Sequence, residues 1–134
     1  MKRYIPLFTS LLACLLTGAL LVGCQDTPAS ADGYEQISAE AAKELMDTQT
    51  DYILLDVRTQ EEYDLGHIPG AIVIPNEVIS EQAEQTLTDK EQLILVYCRS
   101  GRRSKEAAQK LVDLGYTNVK EFGGIIDWPY QTTR

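Results

Sequence analysis

Apolar residues along the chain fall into two kinds of run, and their alternation predicts the fold. Unbroken runs at 52–55 and 93–96 are what strands buried on both faces of a parallel sheet show. Elsewhere apolar positions recur at helical spacing. Ser38 reads as an N-cap for a helix carrying Ala39, Ala42, Leu45 and Met46 on one face. Thr59 reads as the cap of a short acidic helix, with Glu62 three residues on as in a capping box. Ile79, Ala83 and Leu87 predict a helix over about 76–87. Ala107, Ala108, Leu111 and Val112 predict another from Ser104, stopped by the glycine in Leu114-Gly115-Tyr116. Shorter strands are predicted at 34–37, 71–74 and 119–122, the second stopped by Pro75. Gly66 to Gly70 is read as a turn, Gly123-Gly124 as a tight turn, and 125–128 as one helical turn before Pro129. Strands alternating with helices predict an α/β domain whose parallel or mostly parallel sheet is covered on both faces. Ligands of such sheets bind beyond the carboxyl ends of the strands.

The N-terminus breaks the pattern. Lys2 and Arg3 precede 19 residues, 4–22, without a single charge, a basic start and an apolar core that belong to targeting rather than to the fold. The run ends in Leu21-Val22-Gly23-Cys24, which resembles the bacterial lipobox, whose cysteine is lipidated and becomes the first mature residue. The expected organisation is a lipoprotein signal peptide over 1–23, a tether over 24–33 beginning at lipidated Cys24, and a domain over 34–134. Small, polar and proline-containing, Gln25 to Gly33 reach about 30 Å at full extension. A plain uncleaved anchor would also keep Lys2 and Arg3 inside and the domain outside the cytoplasmic membrane. The expectation is an extracytoplasmic protein held to a membrane by its lipid, periplasmic or on the outer cell surface.

That processing sharpens charge and cysteine usage. After residue 23, ten basic residues face twenty acidic ones, a net charge of −10, which argues against nucleic acid or anionic lipid as a partner. Cys14 leaves with the signal peptide and Cys24 is taken by lipid, so Cys98 is the lone thiol of the domain. A leftover thiol in an oxidising compartment reads as reactive. One histidine, His67, with no cysteine and histidine run at ligand spacing, calls for no metal. No organic cofactor is called for either.

Chemistry is expected in Tyr97-Cys-Arg-Ser-Gly-Arg-Arg-Ser104. It places Cys98 at the carboxyl end of a strand, before a helix N-terminus and beside Arg99, Arg102 and Arg103. Such surroundings favour the thiolate, the nucleophilic form. Gly101 permits unusual backbone angles, so the loop amides can converge on an anion. A buried inert thiol beside a solvated basic turn is the plainer alternative.

Three stretches coincide in order: Leu54-Leu-Asp-Val-Arg58 with Glu62-Tyr63 and Gly66-His-Ile-Pro-Gly-Ala71, the Cys98 loop, and Phe122-Gly-Gly-Ile-Ile-Asp-Trp128. Together they resemble the signature, active-site loop and closing segment of rhodanese domains, over the whole of 34–130. The resemblance implies a rhodanese-like fold with a five-stranded mostly parallel sheet, helices on both faces, and sulfur transfer through a persulfide on the loop cysteine. It implies Cys98 as nucleophile, 99–103 (Arg99, Ser100, Gly101, Arg102, Arg103) as the substrate-binding loop, Arg103 closing it, and Asp56 and Arg58 as structural residues near the site. Arg99 and Arg102 are then expected to bind a dianionic donor such as thiosulfate. The acceptor would be a thiol, a protein thiol included, or a cyanide-like nucleophile, with ping-pong kinetics. His67 is read as a turn residue satisfied by the backbone, and Trp128 as an aromatic packing the terminal turn.

Other readings use the same thiol. A cysteine phosphatase or arsenate reductase would need five residues between cysteine and arginine, whereas Arg102 and Arg103 fall at the fourth and fifth places after Cys98. A persulfide or redox carrier, or an interaction module, would use Cys98 without thiosulfate turnover.

Overall fold

The computed structural model describes residues 32–134. The expected signal peptide, Cys24 and residues 24–31 of the expected tether lie outside the described residues. Within them the chain runs β1 Glu35–Gln36, α1 Ala39–Thr48, β2 Tyr52–Asp56, α2 Gln60–Leu65, β3 Ile72–Val73, α3 Ile79–Thr86, β4 Leu93–Cys98, α4 Arg102–Asp113 and β5 Val119–Gly124. A single 3₁₀ turn, Ile125–Asp127, follows β5.

All five strands pair in parallel in the order β1-β5-β4-β2-β3. The apolar runs occupy its centre because β2 and β4 have strands on both sides and helices on both faces; every residue of β4 is buried. Alternation along β4 divides the core in two. Ile94, Val96 and Cys98 face a layer holding Ile79, Ala83, Ala107 and Leu111 of α3 and α4. Leu93, Leu95 and Tyr97 face Ala42 of α1, Phe122 and Trp128. Trp128 packs 5.6 Å from Phe122, ring centre to ring centre. Both expected caps form: Ser38 accepts from the Ala41 amide, and Thr59 and Glu62 make a reciprocal capping box.

β1 and β3 are each one residue shorter at both ends than expected, and three boundaries differ further. α3 begins at Ile79, because Pro75 to Val78 make a turn closed by the Val78 amide on the Pro75 carbonyl (3.0 Å). α4 begins at Arg102, two residues early, directly after Gly101, whose φ of +102° ends the preceding loop. Gly123-Gly124 is the end of β5 instead of a turn: past an irregularity, Gly124 pairs with Cys98. The tail then returns to the turn at His67, whose backbone exchanges two hydrogen bonds with Thr133 (2.9 and 2.8 Å).

Candidate active site

Parallel β4 delivers Cys98 to the carboxyl edge of the sheet, and the next three residues turn the chain into α4. The turn is tight. A Cβ built on Gly124 would lie 2.1 Å from the Arg99 carbonyl oxygen, so β5 can reach the loop only with glycine there. The loop is held again by the Ile126 amide, which donates to the Arg99 carbonyl at 3.2 Å.

Cys98 is 1% exposed. Its Sγ accepts a hydrogen bond from the Gly101 amide at 3.0 Å, and α4 adds its N-terminal dipole from the same side. Beneath the sulfur lies Ser104, whose Oγ is 3.4 Å from Sγ and placed to accept from the thiol. Ser104 has one hydroxyl proton and three acceptors in reach. Glu121 Oε1 is the nearest at 2.6 Å, ahead of the Gly101 carbonyl at 3.0 Å and the Gly123 carbonyl at 3.3 Å. The same Oε1 accepts from the Gly123 amide at 2.7 Å. Glu121 is 2% exposed, and its hydrogen-bond donors among the described residues are both neutral.

The arginines separate. Arg103 forms a two-pronged pair with Glu62 (2.7 and 2.8 Å), which ties the loop to the cap of α2. The Arg103 bond, with the Thr59 amide, outweighs burial and holds the Glu62 carboxyl down to about 2. The Arg103 guanidinium is correspondingly held above its usual range, first by Glu62. Arg102 is largely exposed and pairs with Glu106 one turn on (2.8 Å). Arg99 and Ser100 are exposed at the rim. Arg99 shares a cleft of about 410 Å³ with Arg58, Glu62, Leu65 and Ile126. A larger cleft, about 700 Å³, lies between α1 and the C-terminal segment and contains no residue of the Cys98 loop.

Asp56 and Arg58 form a separate unit at the end of β2. Arg58 grips Asp56 through Nε (3.0 Å to each oxygen) and Nη2 (2.7 Å), and also donates from Nη2 to the Gly66 carbonyl at 2.7 Å. Burial works against the Arg58 charge, but Asp56 outweighs it and the guanidinium stays raised. The Tyr97 hydroxyl accepts from the Ile68 amide at 3.1 Å, and burial, helped by Asp56, pushes its ionisation well up. His67 stacks on Tyr63 with ring centres 3.7 Å apart, and its Nδ1 sits 2.9 Å from the Tyr63 carbonyl.

Thus the fold brings Cys98, Ser100 and Gly101 into one loop, sets Arg58 and Arg99 at a neighbouring cleft, and turns Arg102 to solvent. Sequence reasoning missed Ser104 and Glu121. The available signal was phase: Glu121 shares the side of buried Val119 in an interior strand, where a carboxylate needs partners.

Comparison with known proteins agrees with this fold. The model of the Rhodanese-like domain family matches residues 38–129. The thiosulfate sulfurtransferase PspE of Escherichia coli (strain K12) is 40% identical over 73 residues, covering 54% of this chain and 70% of that protein. The thiosulfate sulfurtransferase GlpE of Coxiella burnetii (strain RSA 331 / Henzerling II) is 38% identical over 96 residues, 71% of this chain and 87% of the relative. The putative sulfur carrier protein YrkF of Bacillus subtilis (strain 168) is 34% identical over 119 residues; the match takes in 88% of this chain and 63% of that longer protein. Among solved structures, a rhodanese with anions from E. coli superposes with a TM-score of 0.58 at 35% identity, covering 62% of this chain and 98% of that one.

Proposed function

The chain belongs to the rhodanese-like domain family, and we propose that it is a sulfurtransferase whose Cys98 takes a sulfane sulfur from a donor such as thiosulfate and passes it to a nucleophile. One observation carries this reading: the Gly101 amide, 3.0 Å from Sγ, donates to a thiol otherwise sealed from solvent. A donor aimed at sulfur stabilises it when it is anionic. The relatives named as thiosulfate sulfurtransferases support the donor class.

In the first half-reaction the Cys98 thiolate attacks the outer sulfur of thiosulfate. An S–S bond forms to Sγ, the donor's S–S bond breaks, and sulfite leaves with the electron pair. The persulfide Cys98–S–S⁻ keeps the single negative charge, now on the outer sulfur under the loop and the α4 N-terminus. In the second half-reaction an acceptor nucleophile, a thiolate or cyanide, takes that outer sulfur and returns the thiolate. Arg99, at the cleft rim, supplies a cation for the dianionic donor. Arg102 lies farther out, and Arg103 is committed to Glu62, so these two shape the loop and its field more than they grip substrate. The N-terminal pattern supports a lipid-anchored, extracytoplasmic setting, with Cys24 as the anchor.

Intact-mass spectrometry of the protein after incubation with thiosulfate tests the proposal. The expected result is a gain of one sulfur atom, removed by cyanide and absent in Cys98→Ser. No gain, with a thiol that still alkylates, would overturn thiosulfate as donor and bring forward the carrier reading that the Bacillus relative's name supports.

A further inference from the structure

Glu121 and the Ser104 hydroxyl it holds lie near the nucleophile and take no part in the sulfur loading above. Glu121 is 2% exposed and hydrogen-bonds to the Ser104 hydroxyl at 2.6 Å and the Gly123 amide at 2.7 Å. No lysine, arginine or histidine among the described residues pairs with it; neighbouring Lys120 turns to Glu35 of β1. Ser104 links it to Cys98, its oxygen 3.4 Å below Sγ. The sulfur thus lies between two unlike ends: an amide donor on the loop side, and an acceptor backed by a buried carboxylate on the sheet side.

We infer that Glu121 is a positioning residue that makes Sγ a poorer seat for negative charge than the outer sulfur of the persulfide, so biasing the ionised site toward its loaded form. The inference rests on the persulfide reading above. Loading moves the negative charge one S–S bond, about 2 Å, away from Sγ and toward the loop amides. An ionised Glu121 on the sheet side repels the nearer position more than the farther one, and little water screens it there. Glu121 therefore opposes the empty thiolate more than the persulfide anion.

The other charged groups around this line act from different elements. Arg103 of α4 is electrostatically coupled to Cys98 and is paired with Glu62 of α2; Glu77, before α3, acts on Arg103. Asp56 at the end of β2 is neutralised by Arg58. Burial raises the ionisation of Tyr34, before β1, with the charges of Asp32 and then Glu121 adding to it. Arg99 and Arg102 stand in solvent.

Glu121→Gln removes the charge while keeping an Oε1 for both hydrogen bonds, which end on that one oxygen. Two readouts are expected to move in opposite senses. Alkylation of empty Cys98 by iodoacetamide shifts to lower pH, on the order of tenfold faster at neutral pH. At alkaline pH, where the thiol is ionised in both proteins, the thiosulfate-to-sulfite ratio needed for half loading rises severalfold. Glu121→Asp, which withdraws the charge by one methylene, moves both the same way by less, and serves if the glutamine variant fails to fold. A purely structural Glu121 would lower the melting temperature and leave the alkylation profile in place. Superposed alkylation profiles for folded wild type and variant overturn the inference. Wild type that never loads overturns the persulfide reading instead, since alkylation needs no sulfur donor.

Discussion

Two carboxylates are buried in the domain's sheet, and the fold treats them in opposite ways. Asp56, fully buried at the end of β2, is locked by the Arg58 guanidinium and backbone amide. Glu121, 2% exposed in β5, receives among the described residues only a serine hydroxyl and one amide. A neutralised carboxylate ties loops together: Arg58 spans from Asp56 to the Gly66 carbonyl and so pins the turn that carries His67 and Ile68. An un-neutralised one exerts a field. The first is the register partner of Tyr97 on β2, and the second lies behind the Ser104 hydroxyl under the reactive thiol. Placement of the cation, rather than burial, separates scaffold from chemistry here.

The sharpest way to break the comparison is Asp56→Ala. It leaves Arg58, 5% exposed, without its counter-charge, and the expected loss is about 3–5 kcal/mol of stability by urea unfolding. Glu121→Gln, which keeps its hydrogen bonds, is expected to lose far less. Equal losses would make both carboxylates structural. Next comes Gly124→Ala. Its Cβ would meet the backbone of Arg99 and Ser100 at 2.1 to 2.6 Å, so the strand end or the loop must shift, at about 1–3 kcal/mol. Faster iodoacetamide alkylation of Cys98 should accompany that shift, while the Asp56 end stays intact.

Smallest is Glu62→Gln. Glu62 is held at about 2 in the fold against an ordinary 4.5. Its folded value is depressed, so its stabilisation is complete above about 4.5 and is lost as pH falls toward 2. Both Glu62 and Arg103 are partly exposed, and the pair contributes about 1 kcal/mol or less. The melting-temperature difference between wild type and Glu62→Gln should therefore shrink to nothing across that acid range. A difference independent of pH would assign the effect to the helix cap alone.

What could be read from the sequence was local. The apolar runs of β2 and β4 needed no partner to be recognised, and Ser38 and Thr59 announce helix starts through hydrogen bonds made within three residues. The thiol and its glycine sit together in one stretch, so the reactive loop was legible as well. What failed depended on distant pairing. Gly123-Gly124 looked like a turn because its strand partner, Cys98, lies 26 residues away. Asn76 looked helical, yet its amide bonds to the Val57 carbonyl and its side chain to Glu106. Ser104 and Glu121 come together across 17 residues, a separation that no periodicity encodes. The partners of the arginines were out of reach as well: Arg102, expected beside Arg99 at the donor, pairs with Glu106, and Arg103, expected to close the loop, pairs with Glu62.

The strand order has a consequence for how the chain is made. Among the described residues β1 pairs only with β5, and their facing residues Glu35 and Lys120 are 85 positions apart. Emerging first, β1 has no neighbour until the last strand is complete. A contact of such span forms late, after the local helices and the central β2–β4 pair. Synthesis of the last strand is thus the event that lets the first one dock, and the same β5 carries Glu121 and Gly124 beneath and against the Cys98 loop. A chain interrupted before residue 119 holds its cysteine without the floor that encloses it.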